Sequence, residues 1–384
     1  MNTEKSHQIK IVLFRIVLII LVMPLIQQVF SLLEIKPLGG SIFVIEKPVF
    51  STTNWFNEKF QTDFEKYENQ NFGFRNIFVR INNQIEYSVN NIAKANSVII
   101  GKEEYLYEDN YIKEYFGLNY VGEQKVVEMT SKLKKIQDTL KKLNKDMIVL
   151  LAPGKGTFYP EFIPERLRVE KGLTNYAAYV REFKKNGINV LDFNKWFLEM
   201  KPTTKYPLYG KCGIHWSKYA ELLAADSLVK YFCKTRCETI SRIIIDEIVV
   251  NKHNVEGDYD IGDGMNLLFE MDVYPMAYPK FHITENLKAN NPKVLFVADS
   301  YYWGMFNSGF SAKIFNNGQF WFYNEQIFPD SYQSPKAVAD IDIKLEVEKN
   351  DAIVLLTTDA NLYKFGFGFI DQLYEKYYGS PAGK

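Results

Sequence analysis

"KVLFVADSYYWG", residues 293–304, decides how this chain folds. Val294 to Ala298 form an unbroken apolar run that stops at Asp299 and Ser300. A half-exposed strand would alternate, so an unbroken run reads as a strand buried on both faces, as in a parallel sheet. Two similar runs share the pattern, "DMIVLLAP" (146–153) and "DAIVLLTTDANL" (351–362). Helical patterns stand around them. Val126, Met129, Leu133, Ile136 and Leu140 share one stripe of a helix over 123–143. A second helix, "NYAAYVREFKKNG" (175–187), is closed by Gly187 and succeeded by the strand "INVLDF" (188–193). A third, "SKYAELLAADSLVKYF" (217–232), has Ser217 as its N-cap and Glu221 in its first turns. Strands alternating with helices predict an α/β fold whose mainly parallel sheet carries helices on both faces.

The chain upstream is built differently. "IKIVLFRIVLIILVMPLIQQVFSLL" (9–33) is apolar over most of its length, and about 20 such residues suffice to cross a bilayer as a helix. Lys5, Lys10 and Arg15 precede or begin the span. The positive-inside rule therefore leaves a short tail in the cytoplasm and exports the chain beyond residue 36. A cleaved signal peptide is the rival reading. Ile77, Phe78, Ile81 and Ile85 predict a helix after Gly73, and "SVIIGKEEYLYED" (97–109) predicts two short strands around a turn at Gly101. The expected organisation is a tail and transmembrane anchor over 1–36, an N-terminal lobe over 37–122 packed on the core, and the main α/β domain over 123–384.

Charge is balanced, 46 basic against 46 acidic residues, which argues against a nucleic-acid partner, because neutralising many phosphates needs a basic surplus. The three cysteines leave two readings open: Cys233 and Cys237 pair in an oxidising compartment, or both remain thiols like Cys212. No spacing of His and Cys completes a four-ligand metal set, so no metal is expected, and nucleophilic chemistry at a serine would need no organic cofactor.

Functional groups of open α/β sheets gather at the carboxyl ends of strands. Ser300 stands at such an end, either as a helix N-cap or as a nucleophile whose own N–H helps to hold an oxyanion. A nucleophilic serine needs a base within about 3 Å, usually imidazole. "YGKCGIHWSK" (209–218) holds the one His-Trp pair among four histidines, at His215. Lys155 of "APGKGT" and Lys211 lie near the expected crevice, as contacts for an anionic sugar or as a solvated rim. Trp321, within "GQFWFYNEQ" (318–326), offers a stacking face for a sugar, although Phe320, Trp321, Phe322 and Tyr323 cannot all share one face of a strand. Asp359 and Asn361 come just after the third buried strand and are further candidates for substrate contact.

Five segments in this order carry a resemblance: "NQNFGFRNIFVRINNQIEY" (69–87), "GKEEYLYED" (101–109), Pro153-Gly154-Lys155 with "FYPEFIPE" (158–165), "YGKCGIHWSKYA" (209–220) and "VLFVADSYY" (294–302). Together they resemble the SGNH-hydrolase-like family of alginate O-acetyltransferases and related exopolysaccharide acetylation proteins. The resemblance implies a three-layer α/β/α SGNH-like fold, with His215 as catalytic base, Ser300 as nucleophile and Asp299 supporting the serine turn. Two positions depart from the family's Asp-x-His-Trp and Gly-Asp-Ser motifs. Gly213 stands where the motif has its triad acid, and Ala298 where it has glycine. The acid is therefore lost or relocated. "NVEGDYDIGDGMNLL" (254–268) supplies three candidates, Asp258, Asp260 and Asp263. A calcium-like loop is the other reading of that segment, but Phe269 occupies the twelfth position, where such a loop needs a bidentate Glu.

The implied protein is a membrane-anchored, extracytoplasmic (periplasmic) O-acetyltransferase or acetylesterase. It would act on a cell-surface or secreted polysaccharide through an acyl-serine and receive acetyl groups through a multi-span membrane acyltransferase partner. The alternative is a polysaccharide-binding or assembly protein with a degenerate site.

Overall fold

The computed structural model describes residues 2–40, 44–236, 239–254, 256–284, 289–329 and 336–379. Cys237 lies outside these residues, and so does the Cys233–Cys237 pairing considered above. The chain packs as two units, Met1–Asn96 with Gly262–Met271, and Ser97–Ile261 with Asp272–Lys384.

The first unit contains helix α1 (Asn2–Phe30) and helix α2 (Arg75–Asn90). Within α1, Lys5–Phe30 is long and apolar enough to cross a membrane, with a mean hydropathy of 2.8 and none of its apolar stretch buried in the protein. The segment 262–271 is tied into this unit by amides. Asn83 Nδ2 donates to the Met265 carbonyl at 2.9 Å, and Asn266 pairs with both backbone groups of Gly39, at 2.7 and 3.1 Å.

The second unit begins with the antiparallel pair β1 (Val98–Ile100) and β2 (Leu106–Glu108), then helix α3 (Asp109–Phe116). Residues 97–122, assigned from the sequence to an N-terminal lobe, are thus part of the α/β unit. Burial explains the difference: Leu106 and Tyr107 are fully buried, and Leu106 N donates to the Lys211 carbonyl at 3.0 Å. Next in chain order come α4 (Glu123–Lys142), β3 (Asp146–Ala152), α5 (Asn175–Asn186), β4 (Val190–Asp192) and α6 (Lys218–Arg236). An antiparallel ribbon, β5 (Ile243–Asn251) and β6 (Met276–Ile283), precedes β7 (Val294–Ala298), β8 (Phe320–Phe322) and β9 (Gln326–Phe328). The chain continues with β10 (Lys336–Ala337), β11 (Ala352–Thr358) and α7 (Phe369–Tyr378).

Seven strands form the central sheet in the order β10-β9-β8-β7-β11-β3-β4. Pairing is parallel from β8 through β4 and antiparallel at β8-β9 and β9-β10, so the sheet is mixed and mostly parallel. Strands β7 and β11 are buried at every residue, as their unbroken apolar runs require. Alternate side chains serve the two faces. Met147, Val149, Leu151, Leu295, Val297, Ile353 and Leu355 pack with the apolar stripes of α4, α5 and α7. On the other face Phe296 meets Phe315, which meets Phe232 of α6. The result is the SGNH-like three-layer α/β/α fold. Thr358 pairs with Ala152, and Leu356 with Ala298, so β3, β7 and β11 end at one edge.

Candidate active site

Ser300 opens a single turn of 3-10 helix directly after β7. Fully buried Asp299 fixes that turn. One of its oxygens accepts from Tyr301 N at 3.2 Å, while the other accepts from Thr358 N, Thr358 Oγ1 and Asn361 Nδ2 at 2.8, 2.7 and 2.9 Å. The serine is thereby locked to the end of the neighbouring strand.

His215 reaches Ser300 from a separate loop, with Nε2 2.7 Å from Ser300 Oγ. Its Nδ1 is hydrogen-bonded to Asp260 Oδ2. Asp260 is oriented in turn by two backbone donors on its other oxygen, Ile214 N at 2.9 Å and Ile261 N at 2.7 Å. Burial by itself would lower the His215 pKa, but the Asp260 carboxylate, together with Asp299 and Glu108, more than offsets it and the net direction is upward. Serine, imidazole and carboxylate therefore lie in a hydrogen-bonded line.

The loop that carries His215 is closed by an antiparallel bridge between Tyr209 and Trp216. The Tyr301 hydroxyl donates to the Ile214 carbonyl at 2.7 Å, and its ring lies 5.0 Å from the imidazole. Inside the loop, Lys155 Nζ donates to the carbonyls of Lys211 and Gly213 at 2.6 and 2.7 Å. Lys155 is fully buried, and burial lowers its pKa to about 7. It cannot meet a substrate, contrary to the sequence reading; its ammonium organises the histidine loop instead.

The other proposed contacts are also displaced. Lys211 pairs with Glu104 at 3.2 Å. Trp321 is fully buried in the core between the sheet and α7, because the inward face of β8 needs its bulk, so it offers no stacking surface. Asn361 is buried and spends its amide on Asp299 and Thr358, placing it behind the nucleophile. Asp359 is buried too, with Asn194 donating to it at 2.9 Å.

Of the three aspartates offered as acids, Asp260 alone bonds to His215. Asp258 is fully buried nearby, and burial pushes its carboxyl up to about 7. Asp263 lies in the first unit, 3.5 Å from Lys36 Nζ, because the chain passes from one unit to the other after Ile261. Gly213 cannot hold an acid here: a Cβ at that position would lie 2.0 Å from the Gly257 carbonyl oxygen.

Sequence reasoning passed over Tyr323 as a site residue. It stands just past β8, its phenol interacts with Ser300 and Asn361, and burial raises its pKa to about 12. Its left-handed backbone, φ 49°, turns the chain there, and nothing in a run of four aromatics marks that position. A cavity of about 270 Å³ opens beside Ser300 and His215. Lys218, Glu221, Trp303 and Asn307, none of them singled out in the sequence as site residues, contribute to its lining.

Among proteins of known structure, the chain is similar to the O-acetyltransferase domain of Pseudomonas putida AlgJ, with 12% identity and a TM-score of 0.47 over 73% of this chain and 99% of that one. It is similar to Pseudomonas aeruginosa AlgX at 13% identity and a TM-score of 0.43, covering 72% and 67% of the two chains. It is also similar to Bacillus cereus PatB1 at 11% identity and a TM-score of 0.42, covering 70% and 99%. No curated protein matches in sequence. Residues 98–260, which hold His215 and Asp260 and end before Ser300, match the family described as SGNH hydrolase-like domain, acetyltransferase AlgX. Across that segment, which spans less than half of the chain, the protein is similar to the SGNH hydrolase-like acetyltransferases.

Proposed function

We propose that this protein is a serine-dependent O-acetyltransferase, with acetylesterase activity when water competes, acting on a polysaccharide outside the cytoplasm. The observation that carries this reading is the Ser300–His215–Asp260 line, with Ser300 Oγ 2.7 Å from His215 Nε2. His215 takes the hydroxyl proton as Ser300 Oγ attacks the carbonyl carbon of an acetyl ester. The Ser300 N–H faces the developing oxyanion at the start of its helical turn. Collapse breaks the ester bond, and the proton on His215 leaves with the donor's alcohol. A sugar hydroxyl then attacks the acetyl-serine, giving its proton to His215, which returns it to Ser300. Asp260 holds the imidazole in the required tautomer and stabilises the imidazolium.

The apolar helix α1 supports a membrane-anchored protein with its α/β unit on the far side, in a periplasm or its equivalent. Acetyl groups would arrive from the cytoplasm through a multi-span membrane acyltransferase, consistent with a donor that must cross the bilayer. The alternative, a non-catalytic polysaccharide-binding or assembly protein, drew mainly on Gly213, and the Asp260 carboxylate at His215 favours the catalytic reading over it. The test is turnover of p-nitrophenyl acetate by the purified protein. Ser300→Ala and His215→Ala should each abolish it, and turnover surviving in both would overturn the assignment.

A further inference from the structure

We infer that the acceptor bound beside Ser300 is a neutral sugar residue and not a uronate, a deduction that rests on the acyl-transfer reading above. The cavity of about 270 Å³ next to the serine is smaller than the roughly 300–1,000 Å³ of sites for drug-sized ligands. It suits one sugar ring at a time. Lys218 is the one lysine or arginine lining it among the described residues, and its Nζ lies 3.7 Å from Glu221 Oε2.

Glu221 reaches this place because residue 304 is glycine. A Cβ on Gly304 would fall 1.6 Å from Glu221 Oε2, so the carboxylate rests against the turn just past the nucleophile. The start of α6, whose backbone N–H groups would otherwise favour an anion, is served by the chain itself: Ala220 N donates to Ser217 Oγ at 3.1 Å. The two lysines that would suit an anionic sugar are committed elsewhere, Lys155 to two carbonyls and Lys211 to Glu104. Asp260, which also lines the cavity, and Asp299 and Glu108 add negative potential at the histidine.

A uronate would bring a like charge into this field, and like-charge juxtaposition is strongly unfavourable in a partly desolvated site. A neutral ring meets complementary groups instead. Glu221 accepts from sugar hydroxyls, the Asn307 amide donates and accepts, and the half-buried Trp303 indole supplies an apolar face. Trp303 is held for that purpose by Phe320 and Phe328, edge-to-face at 4.9 and 4.7 Å.

The experiment uses the full-length protein acetylated with p-nitrophenyl acetate, then offered neutral gluco- or manno-oligosaccharides or oligomannuronates of matched length. Acetyl ester on the sugar is read by mass spectrometry. Neutral acceptors should be acetylated at least about tenfold faster, and both added salt and Glu221→Gln should narrow the gap. Uronates acetylated as fast as neutral sugars, or an acetyl-enzyme that neither class discharges, would overturn the inference. Failure of the initial p-nitrophenolate burst would instead overturn the acyl-serine reading beneath it.

Discussion

A Cβ on Gly213 would lie 2.0 Å from the carbonyl oxygen of Gly257 and 2.8 Å from the carbonyl carbon of Asp258. The backbone that delivers Asp260 to His215 therefore occupies the space where a side chain at 213 would begin. An acid at 213 and this loop exclude each other. Gly213→Asp, which nominally rebuilds the family motif, should lower activity instead of raising it. Overpacking of this kind costs about 1–3 kcal/mol, so the thermal midpoint should fall as well. A variant as stable and active as the parent in melts and ester turnover would contradict the steric account.

Asp260→Asn should reduce acetyl transfer by roughly 10²–10⁴, the cost of an imidazole without its orienting acid. The pH profile gives a second readout. His215 must be neutral to act as base, and Asp260 shifts its pKa upward despite burial. The acid limb of activity should therefore lie above the ordinary histidine value of about 6.5, and Asp260→Asn should move that limb down. An unmoved limb would mean that Asp260 does not govern His215.

Asp258 should show itself in stability. Its folded-state pKa of about 7 lies above the ordinary carboxyl value, because burial disfavours the charge. The folded protein thus keeps a proton that the unfolded chain releases above about pH 4. The contribution is complete below that pH and is lost as pH rises toward 7. Asp258→Asn, neutral throughout, should gain stability relative to the parent between about pH 5 and 8 in denaturant titrations. A difference that does not change with pH would exclude a buried, proton-holding Asp258.

Lys155→Met should loosen the histidine loop by removing two hydrogen bonds to its carbonyls and leaving the buried Gly213 carbonyl without that donor. A loss of about 2–4 kcal/mol in unfolding free energy should accompany a fall in kcat. Unchanged stability and kcat would show that the loop holds itself.

The sequence made the sheet legible because Val294–Ala298, Met147–Ala152 and Ala352–Leu356 are apolar without alternation, which only a two-sided burial explains. Ser300 and His215 were readable as parts, one at a strand end and one before an amphipathic helix. Three things were not readable. Which of three aspartates meets His215 depends on where the chain leaves one unit for the other, between Asp260 and Asp263, and no local pattern marks that crossing. Lys155 looked like a surface cation because its partners, the carbonyls of Lys211 and Gly213, are 56 and 58 residues away. Trp321 looked like a sugar platform because strand alternation limits how many of four aromatics face outward without saying which ones.

The central claim is that Ser300 carries the acyl group. Intact protein should be incubated briefly with p-nitrophenyl acetate, quenched in acid and digested, and its peptides mapped by mass spectrometry. One acetyl group should appear on the peptide containing Ser300, accumulate further in Asp260→Asn if deacylation slows, and vanish in Ser300→Ala. Acetylation found only on lysines, or retained in Ser300→Ala, would contradict the account.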